Sequence, residues 1–297
     1  MGHDLIADVE TTPIPEEGRP TFAQRFASHR ADLGPLVLGL DPSASVLGGW
    51  GLPDDVEGLD RFADIVLEAA VGTVGVVKAQ SGFFERHGWR GIRTLSRLVA
   101  SARQARLLVI LDAKRGDVGS TNEAYASGYL GPGAPLGVDA LTVSPYLGVG
   151  ALGAFFDGAA GSGSALFVVT RSSNPEGRAL QRAVQADGRT VEESILAALG
   201  ERNSQVAPAG IGPFGAVVGP IHGPAPAGLV GMGGLVLAPG LGAQGAEPSD
   251  VAACFASCPE RVLPSASRAL LAAGPSVVRL RDACRTLNDA LIRALGP

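Results

Sequence analysis

The sequence is poor in cysteine and in charged residues. Three of its 297 residues are cysteine, an odd number that is too small for a disulfide framework, so we expect a reducing, cytoplasmic environment. Charged residues make up 18% of the chain and apolar residues 46%, a composition that indicates a compact, soluble protein. With a net charge of -5, the chain lacks the clustered lysine and arginine that general binding to nucleic acid or anionic membranes requires.

Signals for metal binding and membrane insertion are weak as well. The four histidines are scattered, and Cys254 and Cys258, four residues apart, are better explained as small buried hydrophobic residues than as metal ligands. Residues 223–246 carry no formal charge, but their many glycines and prolines would leave backbone groups unsatisfied in lipid. Residues 1–20 lack the positive start and apolar core of a signal peptide and are predicted to form a loose tail. We therefore expect no metal ion and no membrane partner.

Short apolar runs alternate with segments of helical periodicity along the chain after the tail. This alternation favours parallel β-α-β units, and eight of them without a composition break predict a single (β/α)8 barrel, a TIM barrel, over residues 21–297. A doubly wound sheet is the alternative, but polar residues follow several predicted strands at their carboxyl ends, where a barrel carries its site. The segment after the sixth strand is rich in proline and glycine, so we expect a short or irregular helix there. The predicted strands are residues 35–41, 74–80, 107–114, 139–144, 165–170, 214–219, 234–239 and 261–265, and the clearest predicted helices are residues 59–71, 92–104, 190–202 and 277–295.

The most informative motif is LLVILDAKRGDVGST at residues 107–121. Side chains alternate across a strand with a period of two, so Asp112 and Lys114 should share one face, toward the mouth of the barrel. A solvated ion pair at a strand end is the simpler interpretation. However, the apolar run before Asp112 predicts a strand buried on both faces, and charges that end such a strand usually line a cleft. Asp117 follows on the loop, and the spacing leaves open whether it serves this site or that of a neighbouring subunit.

A glycine-rich loop follows the seventh predicted strand. Gly240, Gly242 and Gly245 in GLGAQG fit the dinucleotide-binding pattern G-x-G-x-x-G, which is weak on its own. A dinucleotide site normally occupies the first β-α unit and has an acidic residue about twenty positions later, whereas residues 262–265 contain none. The same glycines are typical of a barrel loop whose backbone N–H groups hold a phosphate, and Arg268 would complete that site with its forked guanidinium.

These motifs together resemble those of the orotidine 5'-phosphate decarboxylase family. The pattern of Asp112, Lys114 and Asp117, with Thr121 four residues later, is similar to the family signature, and the closest pattern is that of the longer subgroup found in mycobacteria and their relatives. The resemblance runs from about Phe22 to the C-terminus, and six motifs in the family order are far more specific than one. The other matches are Asp41 to the first-strand aspartate, Lys78 to the second-strand lysine, Ser173 to the pyrimidine-binding serine, and Gln244 with Arg268 to the phosphate-binding pair.

The resemblance implies an enzyme that converts orotidine 5'-phosphate to UMP and carbon dioxide without a cofactor or a metal ion. Loss of carbon dioxide leaves an electron pair on C6 of the pyrimidine, which a fixed ammonium group can stabilise and protonate. The resemblance assigns both tasks to Lys114 and places Asp112 beside the departing carboxylate. Asp117, contributed by the partner subunit of a homodimer, and Lys78 would complete an alternating charge network.

The resemblance also implies how the nucleotide is held. Binding the phosphate far from the reacting carbon is useful because remote binding energy can close loops and orient the ring. Thr121, like Asp117, is expected to act across the dimer interface. One departure from the family pattern is Ser265, where many relatives carry asparagine. The expected contacts are Asp41, Lys78 and Thr121 to the ribose hydroxyls, Ser173 to the pyrimidine edge, and Gln244 with Arg268 to the phosphate.

Two other functions compete with this interpretation. A magnesium-dependent sugar-phosphate decarboxylase or aldolase of the same superfamily shares the pattern of Asp112, Lys114 and Asp117. Those relatives carry an acidic residue where this chain has Lys78, and a lysine there would repel the metal. A catalytically silent phosphate-binding barrel would have no need for a buried charge network, which is costly to maintain. The sequence therefore favours the nucleotide decarboxylase.

Overall fold

The computed structural model describes residues 18–242 and 245–296, which form a closed barrel of eight parallel strands. Each strand pairs with the next along the chain, and the first strand closes the barrel on the eighth through the pairs Val37 with Ser265 and Leu38 with Ala266. The predicted (β/α)8 fold is confirmed, and each predicted strand overlaps an observed one. The strands are β1 Val37–Leu40, β2 Val76–Gln80, β3 Leu108–Arg115, β4 Ala140–Val143, β5 Ala165–Arg171, β6 Gly212–Val218, β7 Gly234–Leu241 and β8 Val262–Ala266.

Helices follow all of the strands except β6 and cover the outside of the barrel. The four helices that the sequence predicted most clearly are all present and correspond to the third, fifth, ninth and twelfth of the series. Across the described ranges the α-helices are α1 Phe22–Leu33, α2 Ala44–Gly49, α3 Val56–Ala70, α4 Ser81–Glu85, α5 Gly88–Gln104, α6 Gly119–Tyr129, α7 Gly153–Ser162, α8 Arg178–Gln181, α9 Val191–Val206, α10 Pro248–Cys254, α11 Arg268–Leu271 and α12 Val277–Leu295.

Local sequence explains where the predicted helices begin and where one fails to form. The Asp55 carboxylate accepts a hydrogen bond from the Gly58 amide at 3.0 Å at the start of α3, and Thr190 and Glu193 form a capping box at the start of α9. Both arrangements satisfy amides that have no partner within the helix. Between β6 and β7, where every backbone position is described, the chain forms a 3-10 turn at Pro220–His222 and no α-helix, in agreement with the expected irregular segment.

The amino-terminal end of the barrel is closed by α1. Phe22 and Phe26 are each 1% exposed and pack among the inward-facing residues of the strands. Arg25 forms an ion pair with the buried Asp139 immediately before β4, and Arg19 reaches the same carboxylate at 2.9 Å. Because side chains fill this end, a ligand cavity can open at the carboxyl ends of the strands, as in other barrels of this type.

The sequence predicted that the cysteines are small buried residues of the core, and the structure agrees. Burial raises the pKa of the Cys254 thiol to about 11 and that of Cys284 to about 12, and all three cysteines are free and buried. They behave as small apolar residues of the core. Within the described ranges, none of the helices combines the length and the apolar character needed to cross a membrane. Of the predicted tail, residues 1–17 lie outside the described residues.

Candidate active site

A cavity of about 300 Å³ opens at the carboxyl ends of the strands. All eight strands, or the loops that directly follow them, contribute residues to its lining, so it lies at the end of the barrel where the sequence predicted a site. Val217 and Leu237 supply part of an apolar wall, while much of the remaining lining is polar. The sequence-predicted residues that line it are Asp41, Lys78, Asp112, Lys114, Ser173 and Arg268.

Asp112 lies between two ammonium groups. Lys78 Nζ is 2.9 Å from Asp112 Oδ2, and Lys114 Nζ is 2.6 Å from Asp112 Oδ1. The side chains of Lys78 and Asp112 are 7% and 12% exposed, whereas that of Lys114 is 48% exposed. The buried Lys78–Asp112 pair therefore positions the Lys114 ammonium at the open side of the cavity, where it can contact a ligand.

Opposing effects act on the pKa of each buried group. Burial lowers the pKa of Lys78, but the negative charges of Asp112 and Asp41 raise it by more, so the net shift is upward. Burial raises the pKa of Asp112, and attraction to Lys78 and Lys114 overrides it, so this pKa is held well below its usual range. Both groups are charged at neutral pH. Ionisable side chains perturbed in this way within a cavity mark candidate functional sites.

Both lysines of the protein belong to this cluster. The sequence has lysine at positions 78 and 114 alone, and its other side chains that are fully cationic at neutral pH are arginines. A guanidinium cannot release a proton under physiological conditions, whereas a lysine ammonium can. The placement of Lys78 and Lys114 in one cavity therefore indicates a site that needs ammonium groups in particular.

Lys114 reaches the cavity from a distorted part of β3. Its φ angle is +47°, a left-handed conformation that costs a residue with a Cβ about 1–2 kcal/mol, and the pairing of β3 with β4 shifts register between Leu111 and Arg115. The Thr142 hydroxyl stabilises this conformation by accepting a hydrogen bond from the Lys114 amide at 3.0 Å. The expected convergence of Asp112 and Lys114 is present, but regular strand alternation is not its cause.

Two buried polar atoms of the cavity have no hydrogen-bond partner among the described residues. They are Asp41 Oδ1, directly after β1, and Ser267 Oγ, directly after β8. Buried polar atoms in folded proteins are almost always paired, and these two line the cavity, so they are available to a ligand or to water that enters it. Asp41 can accept a hydrogen bond from a ligand hydroxyl, and Ser267, beside Arg268, can donate one to an anion.

The glycine-rich loop after β7 shares the cavity with Arg268. Gly240 lines the cavity together with Arg268, and the φ angles of Gly240 and Gly242 are +107° and +74°, which glycine adopts without strain. The Gly242 amide donates to the Ala246 carbonyl at 2.8 Å and closes the loop. Since the loop follows the seventh strand of a closed barrel, the dinucleotide interpretation of this motif is wrong. The predicted phosphate ligand Gln244 lies outside the described residues.

Among the described residues, Asp117 and Thr121 do not line the cavity of their own chain. Asp117 precedes α6, where its Oδ1 accepts a hydrogen bond from the Val118 amide at 2.8 Å and its amide donates to Asn122 Oδ1 at 2.9 Å. Thr121 lies in the first turn of α6 and is exposed. Within the described residues of this chain, these two residues and Lys114 therefore do not line one cavity together.

Thr142 and Ser267 are site residues that the sequence analysis missed. Thr142 is 1% exposed and its hydroxyl donates to Asp112 Oδ1 at 2.8 Å, so one hydroxyl holds both the carboxylate of Asp112 and the backbone of Lys114. The available signal was a polar residue within the otherwise apolar strand β4. Ser267 carried a weaker signal, its position directly before Arg268.

The fold and the cavity define a (β/α)8-barrel enzyme with its site at the carboxyl ends of the strands. The sequence matches the Orotidine 5'-phosphate decarboxylase / HUMPS family over residues 34–283, and the protein belongs to this family. It is 50% identical over 277 residues to the orotidine 5'-phosphate decarboxylase of Salinispora arenicola, covering 93% of this chain and 99% of the relative. The corresponding protein of Streptomyces coelicolor is 49% identical over 262 residues, covering 88% and 94%.

A solved structure supports the same relationship. A crystal structure from Streptomyces avermitilis, described as that of an orotidine 5'-phosphate decarboxylase, superposes with a TM-score of 0.89 at 44% sequence identity. The superposition covers 96% of this chain and 99% of the other. The family that the motifs resembled is thereby confirmed, and so is its closeness to actinobacterial members.

Proposed function

We propose that the protein is a cytoplasmic carboxy-lyase that converts orotidine 5'-phosphate to UMP and carbon dioxide in de novo pyrimidine biosynthesis. The observation that carries this proposal is the row of alternating charges from Asp41 through Lys78 and Asp112 to Lys114, set in the cavity of a barrel of this family. No cofactor or metal ion is required, because the ammonium groups supply the positive charge that the reaction needs.

Lys114 is assigned the central catalytic role. When the bond between C6 and the carboxylate breaks, its electron pair remains on C6, in an orbital that the ring carbonyls cannot delocalise well. The Lys114 ammonium stabilises this charge and then transfers a proton to C6, after which solvent restores its own proton. Its half-exposed side chain at the open side of the cluster supports this role, since the ammonium is fixed before the charge develops.

Asp112 is assigned two tasks. It fixes Lys78 and Lys114 through the two ion pairs already described, and its charge lies near the carboxylate of the substrate. Two like charges about 4 Å apart at an effective dielectric constant of about 20 repel by roughly 4 kcal/mol, and departure of carbon dioxide relieves that repulsion. Lys78 and, from the partner subunit, Asp117 complete the network that orients the Lys114 ammonium.

The remaining residues bind the nucleotide away from the reacting carbon. The unpaired Asp41 Oδ1 supports a contact with a ribose hydroxyl, and the unpaired Ser267 Oγ beside Arg268 supports a phosphate at the loop after β7. The proposed contacts are Asp41, Lys78 and Thr121 to the ribose, Ser173 to the pyrimidine edge, and Gln244 with Arg268 to the phosphate.

The active enzyme is proposed to be a homodimer in which Asp117 and Thr121 complete the site of the partner subunit. Their position outside the cavity of their own chain supports this arrangement. Exposed apolar side chains occur beside them: Val118 is 54% exposed, and Tyr146 and Leu147 after β4 are 77% and 54% exposed. Exposed apolar groups next to a catalytic rim are typical of a surface that a second subunit covers.

Subunit mixing tests the shared site. We expect Lys114→Ala and Asp117→Ala to be inactive alone, whereas heterodimers purified through two different affinity tags should recover about half of the wild-type activity per dimer, because one of their two sites is intact. The matched control is the heterodimer of Lys78→Ala with Lys114→Ala, which should stay inactive because both residues serve the same subunit's site. Inactive heterodimers of the first pair would contradict the sharing of Asp117.

The activity itself is tested with purified protein and orotidine 5'-phosphate in a spectrophotometric assay, with and without a metal chelator. We expect turnover to UMP at the same rate in both conditions. Metal-dependent activity on a ketose or keto-acid phosphate, without turnover of orotidine 5'-phosphate, would replace the proposal by the sugar-phosphate enzyme. UMP binding without any decarboxylation would support a silent phosphate-binding barrel.

A further inference from the structure

The loop that follows β5, residues 172–174, lines the cavity and is held by a residue that does not line it in the described structure. Gln181, at the end of α8, forms two hydrogen bonds with Ser172. The Ser172 amide donates to Gln181 Oε1 at 3.0 Å, and Gln181 Nε2 donates to Ser172 Oγ at 2.8 Å. One amide side chain thus fixes both the backbone and the hydroxyl of a loop residue that lies directly before Ser173.

A buried ion pair anchors the end of β5, directly before the same loop. The Arg171 guanidinium binds both carboxylate oxygens of Glu192 at 2.7 and 2.6 Å, and these side chains are 7% and 6% exposed. Arg171 also donates to the Pro224 carbonyl at 2.6 Å. The end of β5, the start of α9 and the loop after β6 are therefore connected through one guanidinium, whose planar fork suits a bidentate contact.

Two glycines leave the loop little room to shift. A Cβ on Gly219, directly after β6, would lie 3.0 Å from Ser173 Cα and 3.2 Å from its amide nitrogen. A Cβ on Gly177 would lie 2.6 Å from Ser172 Oγ. Backbone of neighbouring segments therefore approaches Ser172 and Ser173 as closely as packing allows, and the loop is confined on several sides before any ligand binds.

We propose that Gln181, together with the Arg171–Glu192 ion pair, is a positioning element that preorganises the 172–174 loop to recognise the base of the nucleotide. This inference rests on the proposed function, in which Ser173 contacts the pyrimidine edge. A loop fixed in its binding conformation loses less conformational entropy when the base binds. Recognition of the base then depends on residues that never touch it, whereas recognition of ribose and phosphate, by residues at the ends of β1, β2, β7 and β8, does not.

The test compares a ligand that has the base with one that lacks it. We expect Gln181→Ala to weaken UMP binding by about tenfold, since two hydrogen bonds that fix the loop are lost. Binding of ribose 5-phosphate should change by less than about twofold, because its contacts lie elsewhere in the cavity. Isothermal titration calorimetry with both ligands measures the two dissociation constants, and kcat/KM for orotidine 5'-phosphate should fall with UMP affinity.

Gln185→Ala is the matched control. Gln185 belongs to the same segment and makes one side-chain hydrogen bond, from Ser194 Oγ at 2.6 Å, but it does not contact residues 172–174. Both ligands should bind this variant as they bind the wild type. Hydrogen exchange at the Ser172 amide should accelerate in Gln181→Ala and stay unchanged in Gln185→Ala.

Several outcomes would overturn the inference. Equal weakening of UMP and ribose 5-phosphate would show a general structural role for Gln181, and unchanged UMP affinity despite faster exchange at Ser172 would show that the loop does not recognise the base. Failure of the wild type to bind UMP would remove both this inference and the proposed function. If the wild type binds UMP but does not decarboxylate orotidine 5'-phosphate, the proposed function fails while the selective loss in Gln181→Ala still supports base recognition.

Discussion

Lys114→Ala should lower kcat for orotidine 5'-phosphate by more than about 10⁴-fold while leaving UMP binding within an order of magnitude of the wild type. The variant loses a proton donor, a role that contributes about 10²–10⁴-fold, and a fixed cation beside the developing charge, a role that contributes about 10²–10³-fold. The two losses come from one group and act on the transition state, so kcat and kcat/KM should fall together. Single-turnover decarboxylation at high enzyme concentration measures the residual rate.

Arg268→Ala provides the contrast for this experiment. A phosphate contact is present in both the bound substrate and the transition state, so its removal should raise KM and the UMP dissociation constant with a smaller change in kcat. The fold of Lys114→Ala can be checked with isotope-labelled lysine, since the wild type has two lysines and the variant should retain one side-chain signal, that of Lys78. Near-normal turnover in Lys114→Ala would remove Lys114 from the chemistry.

The barrel and its charged residues were readable from the sequence because both depend on local pattern. Apolar runs of strand length that alternate with amphipathic helical segments specify β-α units, and eight such units specify a closed barrel. The order of the motifs then placed Asp112 and Lys114 at the end of the third strand. The proline- and glycine-rich segment after β6 was equally readable, because neither residue supports a helix interior.

Other features of the site depend on contacts between distant residues and left little trace in the sequence. The left-handed conformation of Lys114 depends on Thr142, a residue 28 positions later. Two further contacts form between segments that are distant in sequence and packed together by the fold. These are the hydrogen bonds of Gln181 with Ser172 and the ion pair of Arg171 with Glu192. Regular strand alternation predicted correctly that Lys114 lies in the cavity. The reason was incorrect, because β3 is irregular at Lys114.

Asp112→Ala should destabilise the protein by about 3–5 kcal/mol, because it leaves the Lys78 ammonium buried without its nearest carboxylate. Lys78 is 6% exposed, so water from the cavity can replace that partner only in part. Removal of both charges should lower the free energy of unfolding by less, since apolar groups of similar volume often substitute for a buried ion pair without loss of stability. The double variant Lys78→Met/Asp112→Leu is therefore the control: it should recover most of the unfolding free energy and none of the turnover.

The two pKa shifts also predict how the free energy of unfolding of the wild type changes with pH. In the wild type the lowered pKa of Asp112 contributes stability above the unfolded-state aspartate pKa of about 3.9, and this is lost as the pH falls through the folded-state pKa. The raised pKa of Lys78 contributes stability below the unfolded-state lysine pKa of about 10.4, and this is lost as the pH rises through the folded-state pKa.

In Asp112→Ala, burial outweighs the attraction that remains from Asp41, so the pKa of Lys78 should fall below its unfolded value and the alkaline effect should reverse. Raising the pH from about 6 toward the unfolded-state lysine pKa of about 10.4 should therefore stabilise this variant against urea relative to the wild type. The buried cysteines, whose thiol pKa values are raised, lower stability toward alkaline pH in both proteins, so their effect cancels in the difference. The double variant should behave like the wild type over this interval, since it buries neither charge. Parallel stability profiles for Asp112→Ala and the wild type would show that Lys78 does not depend on Asp112, and the charge network proposed for catalysis would lose its basis.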